Sequence, residues 1–282
     1  MKEILFAVLV STLLFAPVLK ASDQEMKKPE PEQQAAKADP PTGIDYSNHL
    51  GMRFKLIHAG TFVMGSPSDE LGRDSDENQH QVTLSRSFYM QTTEVTQGQW
   101  QTVMGSNNAY FSECGLDCPM DSISWEEAQS FIAKLNQLTG QKYRLPTEAE
   151  FEYAARAGTT SALANGELIK IWCDEDEKMN DIGWYCGNAN DRTHPVGLKK
   201  ANPWGLYDMH GNLWEWCQDS WYGSDYTTEP VTDPLSAESG DGRAIRGGSW
   251  YNYAWFARSA NRDWLPYHYR NEYIGFRLVL SP

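Results

Sequence analysis

Five cysteines, six histidines and one dense run of rings and amides are the side chains of this chain whose types could do chemistry. Cys114 and Cys118 flank a Gly-containing turn and could close a small loop; Cys173 and Cys186 could close a larger one, which leaves Cys217 over. Zinc is the competing use of such thiols, but Cys114-x3-Cys118 has no second Cys/His pair nearby to complete a tetrahedral site. His49, His58, His80, His194, His210 and His268 show no ligand spacing. Ser249 lies in Gly-Gly-Ser, which is not a nucleophile elbow, and no His or Asp can be assigned to it.

The dense run lies near the end. Of the 23 residues from Tyr251 to Tyr273 eight are aromatic, about a third, against 12% for the whole chain. The rings alternate with Asn252, Asn261, Asp263, His268, Arg270, Asn271 and Glu272, and no apolar period marks a buried element. Rigid rings mixed with adaptable hydrogen-bonding groups have the composition of a paratope. The ligand-binding candidates are Tyr251, Asn252, Tyr253, Trp255, Phe256, Asp263, Trp264, Tyr267, His268, Tyr269, Asn271 and Glu272.

The elements that must hold such a surface are legible upstream. Thr96 with Gln99, Ser124 with Glu127 and Thr147 with Glu150 are capping boxes that predict helices over Gln97–Met104, Trp125–Leu138 and Glu148–Ala157, followed by Gly105, Gly140 and Gly158. In the second, Ala128, Phe131, Ile132, Leu135 and Leu138 recur at helical spacing, so one face is core. Strands are expected at Phe54–His58, Thr61–Met64, Val82–Leu84 and Phe88–Met90. Past residue 160, Gly, Asn, Asp and Pro leave no long helix or strand in view. Asp69–Glu77 reads as an acidic, solvated loop.

Composition bounds the partners. The 24 Lys+Arg against 38 Asp+Glu give a formal net charge of −14, which argues against nucleic acid and anionic lipid. Hydrophobic residues make up 40% of the chain, with 11 Trp, 14 Tyr and 10 Phe, ample for a core. No apolar run reaches the roughly 20 residues of a membrane span. Lys2, the apolar stretch Ile4–Val18 and the small Ala21 make Met1–Ala21 a secretory signal peptide, with a membrane anchor as the alternative. No cysteine precedes Cys114, which argues against a lipoprotein anchor at this end. Ser22–Gly43, with KKPEPEQQAAKADPPTG and no large apolar residue, reads as a disordered linker. One folded domain is then expected over Ile44–Pro282, exported to the periplasm, the cell surface or the medium.

The segments of that domain form a series: Gly60-Thr-Phe-Val-Met-Gly65, Thr93-Glu-Val-Thr96, Ser122-Ile-Ser-Trp-Glu-Glu-Ala128, Tyr143-Arg-Leu-Pro-Thr-Glu-Ala-Glu-Phe-Glu-Tyr-Ala-Ala-Arg156, Pro195-Val-Gly197, Gly205-Leu-Tyr-Asp-Met-His-Gly-Asn-Leu-Trp-Glu-Trp-Cys217, Arg246-Gly-Gly-Ser-Trp250 and Gly275-Phe-Arg277. Together they resemble the sulfatase-modifying-factor family, the formylglycine-generating-enzyme domain, over about Met52–Pro282. The resemblance implies an α+β domain, a variant of the C-type lectin fold with little regular secondary structure. Arg156, Arg246, Arg262 and Arg277 are expected to act as planar multi-donor struts between loops.

The same resemblance sets expectations for metals. Formylglycine-generating enzymes hold copper with two cysteines after the Arg-Gly-Gly-Ser-aromatic motif, because soft thiolates suit Cu(I). The first position falls here on Asn252, and no cysteine follows Cys217. An amide cannot replace a thiolate, so copper and the family's oxidation are not expected. Calcium is expected: the positions matching the family's site are the side chains of Asp208 and Glu215 with the carbonyls of Gly211 and Leu213, a hard oxygen set. The family's other calcium site would use Asn188 and Ala189, but its second half is not recognisable.

The 251–273 segment is also similar to the variable segment of retroelement-diversified lectin-fold proteins. There, adenine-directed mutagenesis of Asn codons scatters Asn, Tyr, Asp, His, Ser and Phe over a fixed framework. Trp264, Leu265 and Glu272 are less natural products of such codons. The expectation is an exported, monomeric ligand-binding or display protein whose partner is a protein, peptide or glycan. The alternatives are a formylglycine-generating-type oxidoreductase, a related oxidase with different chemistry, or a structural envelope protein held by its tether.

Overall fold

Each of the three expected helices opens with its capping box closed in both directions. Thr96, Ser124 and Thr147 accept the N3 amide, and the side chains of Gln99, Glu127 and Glu150 accept the cap amide in return. These boxes open α1 (Gln97–Met104), α2 (Trp125–Thr139) and α3 (Glu148–Arg156). Gly105 and Gly140 end the first two in the left-handed region; at the third Ala157, φ 48°, takes that place. The computed structural model describes residues 45–221, 227–237 and 240–281. The chain divides into Met1–Gln34 and Ala35–Pro282, and every described residue lies in the second unit. The expected signal peptide Met1–Ala21 and linker Ser22–Gly43 therefore lie outside the described residues. Among the described residues no helix is long and apolar enough to cross a membrane.

The strands are short: β1 (Asp45–Ser47), β2 (Arg53–Ile57), β3 (Gly60–Met64), β4 (His80–Leu84), β5 (Phe88–Gln91), β6 (Tyr143–Arg144), β7 (Trp214–Trp221), β8 (Val231–Thr232), β9 (Gly242–Arg246), β10 (Arg262–Pro266), β11 (Ile274–Gly275) and β12 (Val279–Leu280). They form three sheets, ordered β1-β2-β5-β12-β6, β10-β9-β7-β11 and β3-β4-β8. The class is α+β, as expected. A fourth helix, α4 (Glu177–Ile182), is capped by Asp176.

Three expectations need correction. Leu138, expected by its spacing on the core face of α2, is 42% exposed. The chain past residue 160 does contain a strand of eight residues, β7, longer than the other described strands, and its buried positions run almost without alternation, so it carries no period-two signature. Asp69–Glu77 is not uniformly solvated: Glu70 and Glu77 are buried and both pair with buried Arg258, at 2.7 and 2.6 Å.

The core is aromatic. Trp100 stacks on Phe131 at 5.2 Å, Phe276 meets both edge-on, and the fully buried Trp216 donates from Nε1 to the Ile123 carbonyl at 2.7 Å. Trp214 is buried, while Trp125 and Trp204 pack partly exposed against the core. Loops are tied by arginines, whose planar donors match carboxylates and carbonyls. Arg246 bridges Glu148, Glu152 and the Ser259 carbonyl; Arg156 joins Glu152 to the Gly65 carbonyl; Arg262 grips Glu148; Arg277 grips Glu215. These pairs are buried, so each fixes a loop against solvent exchange.

Candidate functional site

A one-turn 3-10 helix, Ala254–Ala257, organises the start of the aromatic run. Its first amides donate backward, Ala254 N to the Trp172 carbonyl and Trp255 N to the Ile171 carbonyl, both at 3.2 Å. The loop around residue 172 is thereby laid beside residues 253–255. Trp172 and Tyr253 meet edge-on at 5.0 Å and are 54% and 43% exposed. Tyr251, 61% exposed, stacks over Tyr273 at 6.0 Å and touches Trp250 edge-on. Phe111 links Trp250 to the exposed Tyr110. The disulfide Cys173–Cys186 pins the Trp172 loop, and the Cys186 amide donates to the Asn252 carbonyl at 3.0 Å. Cys114–Cys118 is also a disulfide, and Cys217 is a buried thiol whose ionisation burial opposes.

The candidate ligand set divides in two. Tyr251, Tyr253, Trp264 and His268 are exposed. The remainder are half-buried. Trp255 and Phe256 stack at 3.7 Å and pack on core clusters. Tyr267 clamps backbone: its amide donates to the Asp241 carbonyl and its carbonyl accepts from Trp125 N. Tyr269 shares a hydroxyl contact with Tyr273 and accepts from Asn271 Nδ2. Asn271 Oδ1 accepts from Glu272 N, and the Glu272 carbonyl accepts from Trp250 Nε1. Asp263 accepts from Trp264 N, and burial, with the charges of Asp76 and Asp74, raises its carboxyl above the usual range. Sequence reasoning missed Trp172, Ile169 and Tyr110, all exposed. The available signal was Trp172 next to Cys173 of a loop-closing pair.

Asn252 stands where the resembled enzymes have their first copper cysteine. Its Oδ1 accepts from Trp214 Nε1 at 2.8 Å and from Ser249 Oγ at 2.5 Å, so the amide joins the run to the core. Of the chain's five cysteines, four are in disulfides and the fifth is buried Cys217.

The expected calcium positions lie on a tightly held loop. Gly211 packs against the Trp184 backbone, where a Cβ would collide with its carbonyl, and Asn212 exchanges side-chain hydrogen bonds with the backbone of His194. Asp208, φ 56°, is 1% exposed; its Oδ2 accepts from Gly197 N at 2.7 Å and its Oδ1 has no donor. Glu215 is different: Arg277 holds both of its oxygens, at 2.7 and 2.6 Å. A third carboxyl, Glu94, was not anticipated as a ligand. It is fully buried, no other group donates to either oxygen, and it shares a side-chain hydrogen bond with Asp208. Burial, then the charges of Asp208 and Glu215, push Glu94 well above the usual carboxylate range, and burial holds Asp208 up at about 6.

A family model, the sulfatase-modifying factor enzyme 1-like domain, matches residues 47–282. Among curated proteins, the chain is 32% identical to the chaperone protein LppX of Paenibacillus barcinonensis over 238 residues, covering 69% of this chain and 77% of that protein. It is 36% identical to the formylglycine-generating enzyme of Thermomonospora curvata over 181 residues, 58% of this chain and 56% of the enzyme. Among solved structures, Treponema denticola variable protein 1 matches with a TM-score of 0.75 and 29% identity, over 86% of this chain and 100% of that one.

Proposed function

This chain belongs to the sulfatase-modifying factor enzyme 1-like domain family, and from that footing we propose that it is an exported ligand-binding protein whose binding face is built on the 251–273 segment. The carrying observation is the group of exposed rings, Tyr251, Tyr253 and Trp172, on a backbone pinned by a disulfide. Rings held this way offer contact area at low entropic cost. The two disulfides suit an oxidising compartment and support export. The likeness to a Treponema variable protein supports diversification of the segment. On this reading the half-buried candidates are the frame and the exposed ones the reader. The ligand is a protein, peptide or glycan.

The oxidase alternative is disfavoured by Asn252, whose amide is committed to Trp214 and Ser249, and by the absence of any cysteine after Cys217. The Asp208 loop is proposed to hold Ca²⁺ through Asp208, Gly211, Leu213 and Glu215, as the family implies; the orphaned Asp208 oxygen supports it. A bound ion would stiffen the loop and leave the ring face to do the binding.

Selection tests the central reading. The full chain is expected to enrich specific sequences from a displayed random-peptide library or specific structures on a glycan array; failure to enrich either would contradict it. Diversification is read from the coding DNA. A near-duplicate of the codons for residues 251–273, differing at adenines and adjoining a reverse-transcriptase gene, is expected, and a unique sequence without such a neighbour overturns it.

A further inference from the structure

Three segments of chain converge beside the exposed ring pair Trp172 and Tyr253, and two of them lie outside the 251–273 run. The loop after β3 packs there through Gly72: a Cβ at that residue would lie 2.7 Å from Trp255 Cβ and 3.6 Å from Ile171 Cγ2. The Trp172 loop is laid on the run by the bonds from Ala254 N and Trp255 N. Leu71 and Ile169, exposed in these two loops, widen the apolar surface of the ring pair. The same three segments carry acid. Asp74 and Asp76 stand in the first loop, Asp174 and Glu175 follow Cys173 in the second, and Asp263 stands in β10 of the run. Burial, then the charges of Asp76 and Asp74, raise the Asp263 carboxyl, which places the first loop's acids beside the run. The arginines here are already committed: Arg258 to Glu70 and Glu77, Arg262 to Glu148, Arg270 to Glu127, and Arg73 to the Ser66 carbonyl of its own loop. Among the described residues no ion pair holds Asp74, Asp174, Glu175 or Asp263, and the single cation of residues 169–177, Lys170, cannot balance them.

We propose that this surface takes a basic polypeptide segment of a partner protein, one that presents Lys or Arg beside apolar side chains. Each part of the surface has its counterpart in such a segment. The faces of Trp172 and Tyr253 attract an ammonium or guanidinium. The stems of Lys and Arg lie along apolar surface of the kind that Leu71 and Ile169 offer, while their heads reach outward. Those heads meet the carboxylates of Asp74, Asp174, Glu175 and Asp263 in charge-assisted hydrogen bonds. A neutral glycan would cover the rings and leave the carboxylates without counter-charge, and an anionic one would be repelled by them. The net charge of −14 steers a basic partner toward the chain from a distance.

A basic partner presupposes the ring face as the binding surface, and the charge of what is recovered separates the two. The full chain is panned against a displayed random-peptide library and a glycan array, and recovered peptides are compared with the input pool for net charge. Enrichment of Lys- and Arg-bearing peptides is expected. The affinity of a recovered basic peptide is expected to fall at least about tenfold in the triple variant Asp74→Asn, Asp174→Asn and Glu175→Gln, and again between about 50 and 300 mM NaCl. These three carboxylates are exposed, so the variant is expected to melt with wild type. A second variant neutralises three exposed carboxylates elsewhere, Asp45→Asn, Asp117→Asn and Glu229→Gln, and is expected to bind within twofold of wild type. If nothing is enriched on either support, the ring-face reading fails and the basic partner with it. If only glycans are enriched, or peptides with the charge of the input pool, the ring face stands and the basic partner is overturned. Equal losses in the two variants would show an effect of net charge alone and overturn the assignment to this surface.

Discussion

Arg258 ties the loop after β3 to the aromatic run with one side chain. It donates to Glu70 and Glu77 from the loop after β3 and, through Nε, to the Trp255 carbonyl inside the aromatic run. Burial opposes ionisation of Glu77, but Arg258 wins and holds its carboxyl below the usual range; for Glu70 burial wins and the carboxyl is raised. Replacing Arg258 with Met would strand both carboxyls in the interior. A loss of about 3–5 kcal/mol is expected by urea denaturation, the usual cost of removing one partner of a buried pair. Asp219 offers a test by pH. Burial, assisted by the charge of Glu148, pushes its carboxyl from the ordinary 3.8 to about 7. The folded state therefore holds a proton that the unfolded state releases, and this group's contribution falls as pH rises from about 4 through 7. Asp219 accepts from Glu148 N and Ser236 N, so Asp219→Asn removes an acceptor while abolishing the charge. Its melting temperature is expected to lie further below wild type at pH 5 than at pH 8; an equal deficit at both would show that Asp219 does not titrate there.

Capping makes the helices testable one at a time. Thr147→Ala removes the acceptor of the Glu150 amide at the start of α3 and is expected to cost about 1 kcal/mol, read as a shift in denaturant midpoint with unchanged slope. These helices were legible because a box and its glycine are local: everything needed at Ser124 lies within Ser124–Gly140. Strand β7 was not legible, because a strand buried on both faces shows no alternation. The candidate site was half legible for a related reason. Residues 251–273 announce their rings, but which rings face solvent is decided by Trp172, Cys186, Asp241 and Ser122, contributed from remote positions. The Cys173–Cys186 link carries part of that decision. With a separation of 13 residues, its removal as Cys173→Ser with Cys186→Ser is expected to cost about 2–4 kcal/mol and to speed proteolysis near Trp172. Cleavage at an unchanged rate would show that the backbone bonds to residues 254–255 suffice.

At the scale of the molecule, the net charge of −14 and the aromatic surplus separate into different jobs. Much of the acid is internal: Glu148, Glu152, Glu77 and Glu215 are buried partners of arginines that hold the irregular loops of this family's fold together. Most rings are internal too, with Trp100, Phe131, Trp216 and Phe276 at the centre. Among the exposed rings, Tyr251 and Tyr253 flank Asn252, the position that the resemblance aligns with the first copper cysteine of formylglycine-generating enzymes. A scaffold can keep its framework while that position changes work, since function is carried by the site and not by the fold. The measurement that bears most directly on this is the affinity of the full chain for its selected peptide or glycan, by surface plasmon resonance, against Tyr251→Ala, Tyr253→Ala and Trp172→Ala combined. Central aromatic anchors each contribute about 2 kcal/mol or more, so binding at least about 100-fold weaker with an unchanged melting temperature is expected. Affinity within twofold of wild type, in a variant that melts normally, would contradict a binding face built from these rings.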